Sequence, residues 1–138
     1  GMFSPAGGLL PQAGRCVLVA DACALPAAAR IVQAQSSGTA VQALLWVADA
    51  AERAAWGTAG APAQLTWLHG GLPGASQLEI AQVLQWLQQQ WDIACHDPAP
   101  STVLWVGGGL PLVQAVRRWV AAQPALPGLR TLIHTYWR

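Results

Sequence analysis

Short apolar runs alternate with helix-like stretches along this chain, and the alternation restricts the fold more than any other feature. The strand-like runs are residues 15–20 (RCVLVA), 39–47 (TAVQALLWV), 64–69 (QLTWLH), 102–106 (TVLWV) and 130–136 (RTLIHTY). After its arginine the first run is apolar throughout, as in a strand covered on both faces by helices. Strands that alternate with helices imply a parallel sheet with right-handed crossovers. We therefore predict a three-layer, doubly wound α/β fold of five mainly parallel strands in the order 3-2-1-4-5.

The stretches between these runs carry helix signals. Pro26 suits the first turn of a helix after the first strand, because its missing N–H would have no intrahelical partner there. Asp49, with Glu52 three residues later, matches a capping box at the start of a short helix. A long helix follows Ser76, where apolar residues recur every three or four positions, and another is predicted over residues 111–122.

Two turns are expected to meet at the carboxyl edge of this sheet. Residues 21–25 follow the first strand, and Gly107, Gly108 and Gly109 follow the fourth. In the order 3-2-1-4-5 these strands are neighbours, and such sheets bind ligands outside the carboxyl ends at that point. The free N–H groups of the helix that follows the first turn attract phosphate or carboxylate. The three glycines either let a pyrophosphate approach closely or only allow a tight turn from strand to helix.

Composition excludes several classes of function. The formal net charge is +1 and only 9% of the residues are charged, so no nucleic acid is expected as a partner. Polar residues, Gly or Pro interrupt every apolar run well before the ~20 residues of a membrane span. The three cysteines, Cys16, Cys23 and Cys95, lack metal-ligand spacing, and we assign no metal site.

Residues 1–14 contain glycines and prolines without periodicity. They are predicted to be a linker or a disordered N-terminus before one domain over residues 15–138. This start has neither the basic region nor the apolar core of a secretory signal. An odd number of cysteines fits reduced thiols, so we expect a soluble, cytoplasmic protein.

Four stretches together carry a resemblance to a known family. They are VADACALPA at residues 19–27, VADAAE at residues 47–52, TWLH at residues 66–69 and YWR at residues 136–138. Their order and spacing resemble the C-terminal, nicotinamide-nucleotide-binding half of the siderophore-interacting proteins. These are flavin-dependent ferric-siderophore reductases of the ferredoxin-reductase-like group. The resemblance implies that residues 15–138 form a ferredoxin-reductase-like nucleotide-binding domain.

The resemblance implies a role in flavin-dependent reduction of ferric siderophores, with NAD(P)H delivering a hydride to FAD. The residues it places near the cofactor are Asp21, Ala22, Cys23, Ala24, Leu25, Pro26, Asp49, His69, Gly107, Gly108, Gly109, Trp137 and Arg138. It implies no catalytic side chain. In the family an FAD-binding barrel precedes this domain, and residues 1–14 cannot form one. We therefore expect a separate FAD-binding barrel protein as partner, and no activity of this chain alone.

Several positions at the expected site depart from the family pattern. Gly70 stands where an arginine suited to a phosphate is usual, and Trp46 stands where an acid is common. Residues 107–109 replace a segment that ends in a carboxylate. Loss of the arginine removes a bidentate phosphate donor, so the choice between NADH and NADPH stays open. The departures support an alternative function, a non-catalytic relative that has lost nucleotide binding and acts as an interaction domain, and self-association is compatible with both.

Single residues at the edge allow two interpretations each. Asp21 either contacts the ribose or orients the turn by accepting backbone N–H groups. Cys23, at a helix start, either has a lowered pKa and is reactive or is a small filler in a threonine position. His69 either meets a ligand or is structural. Arg117 and Arg118 are most simply the solvated face of a helix.

Overall fold

The computed structural model contains one five-stranded sheet in the order β3-β2-β1-β4-β5, and every neighbouring pair is parallel. The structure describes residues 14–35, 38–56, 63–70, 76–97 and 101–137. The strands are β1 Arg15–Asp21, β2 Ala40–Val47, β3 Gln64–His69, β4 Thr102–Gly109 and β5 Leu129–Trp137. The helices are α1 Leu25–Ala34, α2 Ala50–Ala55, α3 Gln77–His96 and α4 Leu110–Ala121, and a 3₁₀ turn, Ala22–Ala24, joins β1 to α1. The predicted fold class and strand order are confirmed.

The central strand β1 separates two apolar cores. Leu18 and Ala20 belong to the core that α1 covers, and Trp56, which follows α2, packs against the same core. Val17 and Val19 belong to the other core, together with buried residues of α3 and α4. All of β1 is buried. Because both of its faces are covered, the strand is apolar throughout instead of alternating.

The strand β4 continues beyond its predicted end and includes Gly107, Gly108 and Gly109. These glycines pair with β5, with an irregularity between Gly108 and Gly109, and α4 begins directly afterwards at Leu110. The prediction of a tight glycine turn is therefore wrong. The physical reason is that β5 also extends further, to Trp137, and keeps its ladder with β4 up to the start of α4.

Tryptophan side chains fill much of both cores. Trp46 and Trp105 are completely buried on opposite faces of the sheet. Trp91 and Trp119 pack edge to face, with ring centroids 5.3 Å apart. Such pairs contribute beyond the area they bury. Large aromatic rings thus supply the bulk that this small, alanine-rich domain needs in its interior.

The strand β5 lies at one edge of the sheet, where backbone groups are open to pairing. Arg117 of α4 covers part of this edge, because its Nη2 donates to the carbonyl oxygen of Ile133 at 3.1 Å. Arg117 and Arg118 are both exposed, which confirms that they lie on the solvated face of the helix.

No membrane span and no metal site were predicted from the sequence. None of the helices in the described ranges is long and apolar enough to cross a membrane. Within the same ranges, no group of three His, Cys, Asp or Glu residues is placed to hold a metal ion. The predicted N-terminal linker lies outside the described residues except for Gly14.

Candidate functional site

Asp21 connects the 3₁₀ turn with the start of α4 at the carboxyl edge of the sheet. Its side chain is completely buried at the end of β1. Oδ1 accepts a hydrogen bond from the Cys23 N–H at 3.0 Å, and Oδ2 accepts one from the Gly109 N–H at 2.8 Å. The carboxylate therefore holds the 3₁₀ turn against the start of α4. This geometry supports the interpretation in which Asp21 orients the turn, since a buried carboxylate that faces backbone N–H groups does not present itself to a ligand.

The glycines of β4 make room for side chains that pack closely against this strand. A Cβ atom added to Gly108 would lie 2.8 Å from Oδ2 of Asp21. A Cβ added to Gly107 would lie 2.5 Å from Cη2 of Trp105 and 2.8 Å from Cε2 of Tyr136. Neither glycine has a left-handed backbone conformation. Close packing around Asp21 and Trp105 accounts for these glycines without a ligand.

The predicted site residues of the first turn divide into buried and accessible ones. Ala24 and Leu25 belong to the core, and their packing there anchors the turn. Ala22 is half-buried, and Cys23 and Pro26 are exposed at the sheet edge. The helix α1 starts here without a side-chain cap. The Leu25 N–H donates to the Ala22 carbonyl oxygen and Pro26 has no N–H, so the positive end of the helix dipole, and not a row of free N–H groups, lies beside the exposed residues of the turn.

A groove opens between α1 and α2 beside this turn, and we call it the α1–α2 groove. It has a volume of about 330 Å³ and is lined by Ala22, Leu25, Pro26, Ala29, Glu52 and Trp56. Glu52 is held in place, because its Oε1 accepts the Ala48 N–H at 2.5 Å while its own N–H donates to Oδ1 of Asp49 at 3.0 Å. This reciprocal pair confirms the predicted helix start at Asp49. The groove is thus an apolar slot with one fixed carboxylate.

Sequence reasoning did not place Glu52 and Trp56 at the site. A signal was present, because the two residues are four apart on a predicted helix and residues at that spacing share a face. The helix that carries this face comes directly after β2, and β2 is the neighbour of β1 in the predicted order. Asp49, which was predicted, is exposed at the same end of β2 and acts through the α2 start.

The end of β3 is arranged around Gly70. The indole N–H of Trp46 donates to the Gly70 carbonyl oxygen at 3.0 Å. Gly70 has a φ of 155°, and a Cβ there would lie 3.2 Å from Oε1 of Glu79. A larger residue at this position would therefore meet a carboxylate and a backbone conformation that L residues rarely adopt. His69, the preceding residue, is exposed at this edge.

On the other side of β1 from β3, aromatic side chains of β4 and β5 lie close together. The ring of Trp105 lies 6.1 Å from that of His134 and 6.2 Å from that of Tyr136, measured between centroids. Tyr136 is 39% exposed. Desolvation raises the pKa of Tyr136, and the positive charge of Arg30 acts in the opposite direction. The predicted site residue Trp137 ends β5.

The last two predicted site residues are Trp137 and Arg138. The side chain of Trp137 and all of Arg138 lie outside the described residues.

The surroundings of Cys23 disfavour a reactive thiolate. The pKa of the Cys23 thiol is raised, first by desolvation and then by the negative charges of Asp21 and Glu52. Burial raises the pKa of Cys16 to about 11. Both thiols therefore stay protonated near neutral pH, and the helix start does not activate Cys23.

We expect the Glu52→Gln variant to be alkylated by iodoacetamide at Cys23 faster than the parent near neutral pH. Removing a nearby negative charge lowers the thiol pKa and increases the thiolate fraction, by about two- to threefold for a partly screened interaction. Peptide mass spectrometry of timed samples measures the rate at each cysteine. Cys95 serves as the internal control, and an equal acceleration there would mean that the variant acts through general loosening.

The fold is a doubly wound α/β domain with its candidate site at the carboxyl edge. Residues 13–138 match the sequence model of the siderophore-interacting protein family. The crystal structure of a siderophore utilization protein from T. fusca is 32% identical, with a TM-score of 0.68, over 95% of this chain and 47% of that one.

A second solved structure shares the fold. The siderophore-interacting protein SipS from Aeromonas hydrophila is 20% identical, with a TM-score of 0.66, over 95% of this chain and 54% of that one. No match was found among curated proteins. The chain belongs to the siderophore-interacting protein family, as the four sequence stretches indicated. It spans about half the length of the two solved structures.

Proposed function

We propose that this chain is the NAD(P)H-binding module of a flavin-dependent ferric-siderophore reductase. The observation that carries the proposal is the α1–α2 groove, which opens beside the first turn of α1 at the carboxyl edge of the sheet. Sheets of this kind bind nucleotides at that point. Membership of the siderophore-interacting protein family supports the substrate class, since a solved relative is a siderophore utilization protein.

The residues at the start of α1 and in the α1–α2 groove fit the nucleotide-binding part of this chemistry. The positive end of the α1 dipole would attract the pyrophosphate, and the adjoining α1–α2 groove would hold a ring and its ribose. Bound NAD(P)H supplies a hydride to a flavin, and the flavin passes electrons to siderophore-bound iron. The described residues would provide the nucleotide side of this arrangement. The flavin is proposed to lie in an FAD-binding barrel outside these residues, on a partner chain.

A second candidate function is a non-catalytic interaction domain. The buried carboxylate of Asp21 already lies at the starts of both the 3₁₀ turn and α4, where it weakens the attraction for a further anion. At the β3 end, Trp46 and Glu79 occupy the space around Gly70. Both features favour a domain that kept the family fold and lost its cofactor.

Calorimetric titration separates the two candidates. The purified chain is titrated with ADP-ribose, NADH and NADPH. Binding at micromolar to millimolar levels, about −8 to −4 kcal/mol, supports the nucleotide module. Absence of binding at millimolar ADP-ribose, for a chain with a cooperative unfolding transition, supports the interaction domain.

The Pro26→Glu variant should bind ADP-ribose about tenfold or more weakly than the parent. Pro26 is exposed beside the first turn of α1, so a carboxylate there repels the pyrophosphate without entering the core. Pro26→Gln is the matched control, with the same shape and no charge, and should stay within about threefold of the parent. Ala24 is unsuited to the test because it is buried. Equal affinities for the Glu and Gln variants would show that the phosphates do not bind at this turn.

A further inference from the structure

We propose that the α1–α2 groove takes the adenosine half of the dinucleotide with an unphosphorylated ribose, so that the chain prefers NADH to NADPH. The inference rests on the proposed function and adds a specificity-determining residue, Glu52. It concerns which ribose the site accepts, a choice that family membership does not decide.

The groove is continuous with the turn proposed to hold the pyrophosphate. Ala22 and Pro26, where α1 begins, line it together with Glu52 and Trp56. Its volume of about 330 Å³ lies at the lower end of the range for small-molecule clefts. In doubly wound sheets the ribose next to the pyrophosphate lies over the strand beside β1, and an acid near that strand's end binds its hydroxyls. Here that strand is β2, and Glu52 and Asp49 follow its end.

The charge of the groove decides which ribose is tolerated. The carboxylate of Glu52 is held by its bond to the Ala48 N–H, so it cannot swing away from an incoming group without losing that bond. Asp49 is held beside it by the second bond of the pair. A fixed carboxylate accepts a hydrogen bond from a 2′-hydroxyl, and it repels a 2′-phosphate that carries up to two negative charges.

No described cation offsets this repulsion inside the groove. The sequence contains no lysine. Arg53, next to Glu52 in sequence, lies over the Trp67 ring with its Cζ 5.0 Å from the centroid. The other described arginines are Arg15, Arg30, Arg117, Arg118 and Arg130, and none of them lines the groove. At the neighbouring end of β3, the side chain that lies against Gly70 is another acid, Glu79.

The test compares ADP-ribose with 2′-phospho-ADP-ribose by calorimetry on the full chain at low ionic strength. We expect the parent to bind ADP-ribose about tenfold or more tightly than the phosphorylated ligand. The Glu52→Gln variant keeps an oxygen that accepts the Ala48 N–H and removes the charge. It should reduce the ratio of the affinities for ADP-ribose and 2′-phospho-ADP-ribose about three- to tenfold, mainly by binding the phosphorylated ligand more tightly.

A matched control separates local from general charge effects. Asp92→Asn removes one negative charge from an exposed position near the far end of α3 and should leave the ratio of affinities unchanged within about twofold. If the parent binds both ligands equally, or the phosphorylated one more tightly, the inference is wrong while the proposed function stands. The inference is also wrong if Glu52→Gln changes the ratio no more than Asp92→Asn. If neither ligand binds, the proposed function itself fails.

Discussion

The Asp21→Ala variant is expected to lose about 3 to 5 kcal/mol of its free energy of unfolding. The buried carboxylate accepts backbone N–H groups from Cys23 and Gly109, and hydrogen bonds to a charged group are each worth about 1.5 to 3 kcal/mol. Removing it leaves the Gly109 N–H facing a small cavity. It also frees the 3₁₀ turn from β4, so any nucleotide affinity should fall together with stability.

Urea unfolding followed by far-UV circular dichroism measures this loss. The Asp49→Ala variant is the matched control, because Asp49 also accepts a backbone N–H but does so on an exposed helix start, where such caps are worth about 1 kcal/mol. A loss at Asp21 no larger than that at Asp49 would contradict the structural role assigned to the buried carboxylate.

The Gly107→Ala variant is expected to be destabilised by about 2 to 3 kcal/mol, a large effect for one methyl group. The new Cβ would lie 2.5 Å from Cη2 of Trp105 and 2.8 Å from Cε2 of Tyr136. Trp105 is completely buried, so its ring cannot move aside without disturbing the core on the α1 face. The backbone of Gly107 cannot retreat either, since it is paired in β4 with strands on both sides.

The comparison variant is Gly38→Ala, where an added Cβ would meet nothing within 4 Å. We expect it to change the free energy of unfolding by no more than about 0.5 kcal/mol. A double-mutant cycle of Gly107→Ala with Trp105→Phe tests the cause, because phenylalanine lacks the outer ring atoms that meet the new methyl group. A coupling energy near zero in that cycle would mean that Trp105 is not what excludes alanine.

Both predictions concern the same few residues at the carboxyl edge. Asp21, Gly107 and Gly108 form a tightly packed unit on which the exposed turn and the α1–α2 groove rest. A rigid edge of this kind loses less entropy when a ligand binds to it.

The architecture of the domain was predictable from the sequence alone. Five apolar runs separated by helix signals define a parallel α/β sheet, and the central position of the first run follows from its lack of alternation. The helix start at Asp49 and the limits of β3 were also predictable, since capping pairs and short strands are local patterns. Four short stretches in the right order indicated the family.

The roles of the site residues were decided only by the tertiary structure. Asp21 and Gly109 are 88 residues apart, and no local pattern shows that the carboxylate of one accepts the N–H of the other. The glycines of β4 suggested a tight turn, while their actual neighbours are a buried indole ring and that same carboxylate. Glu52 appeared only as a helix cap until the packing of α1 beside α2 placed it in a groove. Secondary structure follows from periodicity along the chain, whereas the environment of a side chain depends on which distant residues the fold brings against it.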